Sequence, residues 1–160
     1  MTFKAKVLIA LIKKLESEMQ VALRSAEEAH VAATHEESAA EDKYDTRGLE
    51  ASYLAGGQKR RATELELIIE GLKSLRVKEF TSSDAIQLTA LVEVNLNDKR
   101  MLFFISNKGG GTSLVVEGKN VQVVTPESRL GKELLGKRVG EVVEVKIPNN
   151  SMEYEILSTS

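Results

Sequence analysis

The 160 residues contain no cysteine and no tryptophan, and aromatic residues make up only 4% of the chain. The first absence excludes disulfides, thiol catalysis and cysteine-ligated zinc, and it accords with a reducing, cytoplasmic setting. The scarcity of aromatic rings leaves few platforms on which bases or sugars could stack. Proline is nearly absent too, and none occurs before residue 77, so the first half carries no obligate helix breaker. Long apolar runs are also missing. Val7 to Ile12 is too short to span a bilayer and meets charge at once without a small-residue cleavage site, which makes it the base of an amphipathic helix. Nor is there an excess of positive charge: the net charge of −2 argues against broad electrostatic binding to duplex DNA. What the chain does have is a 42% hydrophobic content, enough to bury an ordinary core without covalent staples.

Charge is unevenly spread. Glu27, Glu28, Glu36, Glu37, Glu41, Asp42, Asp45 and Glu50 crowd one stretch, opposed there only by Lys43 and Arg47. Such a segment can be a solvated face, a lure for a basic partner or a metal-binding tip, and its place in the fold decides which. Around it the apolar residues recur at helical spacing. Leu8, Ile12, Leu15, Met19, Ala22, Ala26, Ala29 and Ala33 step by four and three, as in a coiled-coil seam. Leu54, Gln58, Arg61, Leu65, Ile68, Leu72 and Leu75 repeat the alternation. The pattern predicts an antiparallel helical hairpin over residues 1–76 with its tip near 36–46, firmly packed at the base and thinner at the far end. About 33 residues per helix at 1.5 Å rise gives a length on the order of 50 Å. Asp45 or Thr46 is placed to cap the second helix. Gly56 and Gly57 cost roughly 1 kcal/mol each relative to alanine within it, and either close approach of the first helix or local flexibility accounts for them.

From residue 77 to 160 the pattern changes. Residues 86–94 and 99–105 read as strands joined by a turn at Asn95–Asp98, and Lys108-Gly109-Gly110-Gly111 reads as a loop. Short strands are expected at 114–116 and 121–124, a brief helix at 128–135, and a final hairpin pairing 141–147 with 152–157 across Pro148-Asn149-Asn150-Ser151. The fold class is therefore α+β: a long helical hairpin followed by a small β-rich domain.

The C-terminal stretch is the most specific. Thr125-Pro126-Glu127-Ser128-Arg129-Leu130-Gly131, followed by Leu134-Leu135-Gly136-Lys137 and Gly140-Glu141-Val142-Val143-Glu144-Val145, resembles the signature of the GreA/GreB transcript-cleavage factors. Ile147-Pro148 through Tyr154-Glu155-Ile156 is similar to that family's closing hairpin, with Asn149 and Asn150 standing in for its turn glycine because asparagine accepts φ > 0. Leu49-Glu50-Ala51-Ser52-Tyr53-Leu54-Ala55 resembles the opening of the family's second hairpin helix. Glu41-Asp42-Lys43-Tyr44-Asp45-Thr46-Arg47 is similar to the tip of short Gre-like proteins.

The resemblance implies an FKBP-like β domain and binding to bacterial RNA polymerase, while the continuous seam and separate acidic tip favour a monomer that folds back on itself, and the short Val7–Ile12 stretch argues against a membrane role. In the family the β domain docks at the mouth of the secondary channel and the hairpin enters it. Acidic tip residues there help hold an Mg²⁺ ion shared with the polymerase, which then cuts its own backtracked RNA; the factor has no cofactor of its own and is no nuclease by itself. Asp42 and Asp45 have the family's i, i+3 spacing, with Glu41 adjoining them, and are the candidate metal-handling acids. Counted back from Tyr53 the family pair would fall on Thr46 and Leu49, so the tip register differs by four residues. The alternative is an acidic tip that occupies the channel and tunes the polymerase without stimulating cleavage. Lys59, Arg60 and Arg61 are candidates for contact with the nascent RNA 3′ end, and Thr125, Pro126, Ser128 and Arg129 for docking on polymerase.

Other readings are weaker. His30 and His35 diverge on a helix and make poor co-ligands, and Lys108–Thr112 lacks the order of a phosphate loop. An FKBP-like fold raises peptidyl-prolyl isomerase activity, but Phe103 and Phe104 are adjacent on a strand and must face opposite ways, which leaves a poor aromatic pocket. A coiled-coil adaptor pairing its hairpin with another protein is a third class.

Overall fold

Each helix begins where its sequence offers a partner for the first free N–H groups. Helix α1 (Phe3–Thr34) follows Thr2, whose hydroxyl accepts the Ala5 N–H at 3.2 Å. Helix α2 (Arg47–Lys73) follows Asp45, whose Oδ1 accepts the Arg47 N–H at 3.3 Å. The computed structural model describes residues 1–35, 39–41 and 43–160.

Two units are distinguishable, one of residues 13–70 and one of residues 1–12 with 71–160. In the first, α1 and α2 run antiparallel. Glu18 meets Arg61 at 3.8 Å, and Leu23, Ala26 and His30 line one groove with Ser52, Ala55 and Lys59. Leu15, Ala22 and Ala29 are buried on α1 as the heptad requires. The seam of α2 differs from the expected one. Its members beside Gln58 and Leu65 are Ala55, Ala62 and Ile69, whereas Leu54 and Arg61 are exposed. The seam opposite is built from alanines, and small residues let the two backbones approach. Leu54 and Arg61 are therefore turned out one position. Gly56 and Gly57 do not serve close approach, because among the described residues beyond their own helical turn a Cβ on either would come within 4 Å only of the Arg60 guanidinium.

The second unit holds a six-stranded sheet: β1 (Leu91–Leu96), β2 (Lys99–Ile105), β3 (Ser113–Val116), β4 (Lys119–Val124), β5 (Val142–Ile147) and β6 (Asn150–Thr159), with helix α3 (Arg129–Leu134) before β5. Strand order is β3-β4-β2-β1-β6-β5; β2 and β4 are parallel and every other pair is antiparallel. Three hairpins are closed by two-residue turns. Asn97-Asp98 and Glu117-Gly118 have φ of 50° and 62° and of 49° and 77°, the mirror-image turns that suit twisted strands. Pro148-Asn149 closes the third, with Asn149 at φ 68°. The last turn is thus tighter than the four residues expected, and β6 longer.

The expected strand at 86–94 begins five residues late. Thr89 has φ 73°, outside the β region, and is buried. Its N–H donates to the Ile105 carbonyl at 2.7 Å and its Oγ1 accepts the Lys78 N–H at 3.0 Å. That knot ties the segment after α2 to the sheet and keeps the chain out of strand geometry until Leu91. Beyond it the side chains alternate. Phe103 and Ile105 join Val92, Val94, Leu134, Val145 and Ile156 in the main core cluster, while Phe104 lies outside that cluster and is fully buried on the opposite face.

Among the described residues one charged side chain is built into this unit. Lys4 is 3% exposed, donates to the Lys78 carbonyl, and stands 4.9 Å from the Phe80 ring centroid and 3.9 Å from the Glu79 carboxylate. Burial pushes its ammonium below the ordinary lysine value, with Glu79 opposing the shift. Lys4→Met keeps the stem and removes the charge-assisted bond, leaving a shielded carbonyl unpaired. The expected result is a loss of about 1–2 kcal/mol, read as a lower urea midpoint with an unchanged slope.

Candidate functional site

The hairpin tip gathers its charge around one residue. Asp45 stands just ahead of α2, where its carboxylate is met by a fork: Arg47 Nε donates to Oδ1 at 3.1 Å and Arg47 Nη2 to Oδ2 at 2.9 Å. The backbone adds two more donors, the Arg47 N–H to Oδ1 and the Glu41 N–H to Oδ2, both at 3.3 Å. Glu41 itself is exposed, its carboxylate 3.8 Å from the Arg47 guanidinium. Thr46 does not cap: its hydroxyl donates to Glu50 at 3.1 Å. Asp42, the other candidate metal-handling acid, lies outside the described residues. Among the described residues no group of three or more His, Cys, Asp or Glu side chains could hold a metal. Glu41 and Asp45 supply the oxygen donors that a hard cation takes, but as two carboxylates they suit an ion shared with other ligands and not one held by this chain alone.

Arg47 was missed as a partner of Asp45; an Asp-x-Arg step ahead of a helix is the signal that could have found it. The consequence is electrostatic. The side-chain hydrogen bonds from Arg47, then the backbone N–H groups of Arg47 and Glu41, hold the Asp45 carboxyl well below the usual carboxylate range, and Asp45 raises the Arg47 guanidinium in turn. A depressed folded value means that the clamp is in place above the ordinary aspartate value and is lost only as the pH falls through the lower, folded one. At about pH 3 the Asp45 carboxyl carbon should therefore still report an anion in a ¹³C titration, while Arg47→Gln returns its inflection toward roughly 4.

Of the basic candidates, Arg61 is already engaged, 3.8 Å from Glu18 and 3.7 Å from Glu64. Arg60 lies over the glycine step, and Lys59 and Arg60 are exposed on α2. Near the tip end of α2 several large apolar side chains are exposed as well: Tyr44 at 78%, Tyr53 at 72% and Leu49 at 54%. The Lys43 ammonium lies 5.0 Å from the Tyr44 ring centroid.

The turn Thr125–Arg129 is held from both sides. Ser128 is the N-cap of α3: its Oγ accepts the Gly131 N–H at 3.0 Å and donates to the Thr125 carbonyl at 2.8 Å. A Cβ on Gly131 would lie 1.9 Å from that same carbonyl, and one on Gly110 would lie 2.8 Å from the Thr125 methyl. Thr125 and Ser128 border a cavity of about 520 Å³ that Met101, Phe103, Leu130 and Tyr154 also line. Phe103 and Tyr154 meet there edge to face at 6.3 Å, so an aromatic pair is present although Phe104 faces away. His30 lies on α1 and His35 beyond its end.

Comparison with known proteins bears on the C-terminal part first. Residues 116–160 match the family model described as the C-terminal part of the transcription elongation factor GreA/GreB. Over 151 residues the chain is 27% identical to the transcription elongation factor GreA of Clostridium novyi, covering 91% of this chain and 89% of that protein. It is 30% identical over 99 residues to the GreA of Chloroherpeton thalassium, 61% of this chain and 59% of that relative's length. Among solved structures it resembles the GreA factor homolog 1 of Thermus thermophilus, with 22% identity, a TM-score of 0.38, and coverage of 94% of this chain and 95% of that one.

Proposed function

We propose that this chain, a member of the GreA/GreB family, binds bacterial RNA polymerase as a transcription elongation factor, inserting its helical hairpin into the secondary channel. The observation that carries this reading is the pairing of a GreA/GreB C-terminal segment with a two-helix hairpin whose connecting segment carries an exposed Glu41 beside Asp45. The exposed Tyr44, Leu49 and Tyr53 support it, because large apolar side chains clustered on an otherwise polar hairpin fit a surface that becomes covered by protein.

At the far end the acids face the polymerase's catalytic centre. A divalent ion shared there with the polymerase would stabilise the attacking and leaving oxygens of the phosphodiester. This chain's part is to offer carboxylate oxygen from Asp42, Asp45 and Glu41, and to hold the segment in place through Arg47. Lys59, Arg60 and Arg61 meet phosphates of the RNA 3′ end, with Arg61 giving up its Glu18 and Glu64 partners to do so. The turn Thr125, Pro126, Ser128 and Arg129 docks on polymerase.

A second reading is favoured by one specific contact. Because both Asp45 oxygens are filled by Arg47, the tip can occupy the channel without lending a carboxylate to metal. The test is transcript cleavage by a stalled, backtracked elongation complex of the cognate polymerase, with binding measured in parallel. Binding with faster cleavage supports the first reading, binding without it the second, and no binding sinks both.

A further inference from the structure

Strand β5 ends the sheet, and two exposed charged side chains, Glu144 and Lys146, guard that edge with no bulge or proline inside the strand. It pairs with β6 over six consecutive residues without a bulge, and Pro148 lies just beyond it. The two-residue turn makes Ile147 and Asn150 a hydrogen-bonded pair, so Val145 and Val143 also bond inward. The N–H and C=O groups of Val142, Glu144 and Lys146 then point away from β6. Edges of this kind are normally shortened, bulged or blocked, because they template a further strand. Here Val142 is 57% exposed and Ile147 37%, so the edge is apolar at both ends as well as unpaired.

Beside it lies room. A cavity of about 540 Å³ separates β5 from α3 and is lined by Val142 to Lys146 and by Arg129, Lys132, Glu133 and Lys137. Arg129, Lys132 and Glu133 share one face of α3 by their i, i+3, i+4 spacing. Four cations thus surround the groove against two carboxylates, Glu133 and Glu144, on a chain whose net charge is −2. None of the four is in an ion pair with a described residue.

We propose that the β5 edge is a docking site for an extended acidic segment of a partner protein, which adds a strand antiparallel or parallel to β5 and sets its carboxylates against Arg129, Lys132, Lys137 and Lys146. Main-chain bonds to Val142, Glu144 and Lys146 supply the registration, and the cations select the sign of charge. A second copy of this chain fits less well, since pairing β5 with itself would bring two cationic α3 faces together. A nucleic acid strand fits less well again, because among the described residues no aromatic side chain lines the groove for a base to stack on.

The test uses the full chain labelled with ¹⁵N and titrated with a blocked nonapeptide alternating Glu with Thr and Val, beside a counterpart with Lys in place of Glu. The expected result is shifts confined to β5 and α3, slowed exchange of the Val142, Glu144 and Lys146 amides, and binding at least about tenfold tighter for the acidic peptide. Glu144→Pro removes an outward N–H while sparing the β6 ladder, and should abolish the slowed exchange. Should that variant lose its native spectrum, Lys132→Glu with Lys137→Glu decides the matter instead, by weakening the acidic peptide about tenfold. Equal binding of the two peptides, shifts away from β5, or concentration-dependent broadening of β5 amides without peptide would each overturn the proposal.

Discussion

Asp42→Ala with Asp45→Ala is expected to return transcript cleavage in the backtracked complex to the rate without factor, while polymerase binding stays within about twofold. The size of the effect follows from what the tip contributes. Carboxylate ligation of a shared divalent ion acts on charge that develops in the transition state, so its loss falls on the cleavage rate and not on affinity. A loss of roughly 10- to 100-fold corresponds to about 1.4–2.7 kcal/mol of transition-state stabilisation, modest for a metal ligand. Retained binding is expected because the double substitution leaves the exposed Tyr44, Leu49 and Tyr53 in place and lies far in sequence from the Thr125 turn. Arg47→Gln refines the outcome. It frees both Asp45 oxygens of their guanidinium partner while leaving the two backbone N–H donors in place. If Asp45 lends its carboxylate to metal, the variant should reach half-maximal cleavage at a lower Mg²⁺ concentration than the wild type. Cleavage that neither the double substitution nor Arg47→Gln alters would remove these acids from the chemistry and leave the channel-occupying reading.

The hairpin was legible in the sequence because its periodicity is local: Leu8, Leu15, Ala22 and Ala29 repeat every seven residues, and all four are buried. Its partner seam was read one position out at Leu54, Arg61 and Ile68, and the reason is physical. A reading weighted by side-chain size prefers leucine to alanine, whereas packing against an alanine seam prefers Ala55 and Ala62. Between Ile68 and Ile69 nothing local decides. In the β domain the turns were legible wherever the residues themselves favour positive φ, as at Asn97-Asp98 and Asn149. The late start of β1 was not, since Thr89 owes its conformation to Lys78 and Ile105, eleven and sixteen residues away. Likewise the parallel pairing of β2 with β4 rests on a contact between distant segments. At the tip the acids could be counted, but the direction of the Arg47 side chain, which decides what Asp45 can do, could not.

Gly131→Ala is the substitution with the largest expected cost to the fold. A methyl group there would stand 1.9 Å from the Thr125 carbonyl oxygen and 2.8 Å from Ser128 Oγ. Neither neighbour can step aside cheaply. The carbonyl accepts from both the Ser128 hydroxyl at 2.8 Å and the Ser128 N–H at 3.1 Å, and that hydroxyl also caps α3 through the Gly131 N–H. Relief requires the turn to open and the cap to break. Overpacking costs about 1–3 kcal/mol and each lost bond about 1 kcal/mol more, so a loss of roughly 3–5 kcal/mol is expected. For a domain of this size that lowers the thermal midpoint by about 12 °C or more. Gly110→Ala is the matched control, because its Cβ would meet side-chain and not backbone atoms of Thr125, the methyl at 2.8 Å and the hydroxyl at 3.1 Å. Its expected cost is nearer 1 kcal/mol. Ser128→Ala, which removes the cap without adding bulk, should fall between them. The three variants also separate structure from docking. If the Thr125 turn is the surface that meets polymerase, Gly131→Ala should weaken binding even at temperatures where the protein remains folded, because the carbonyl and the Pro126 ring behind it are displaced. Binding that tracks only the folded fraction would make Thr125–Arg129 a structural turn and move the docking surface elsewhere on the β domain.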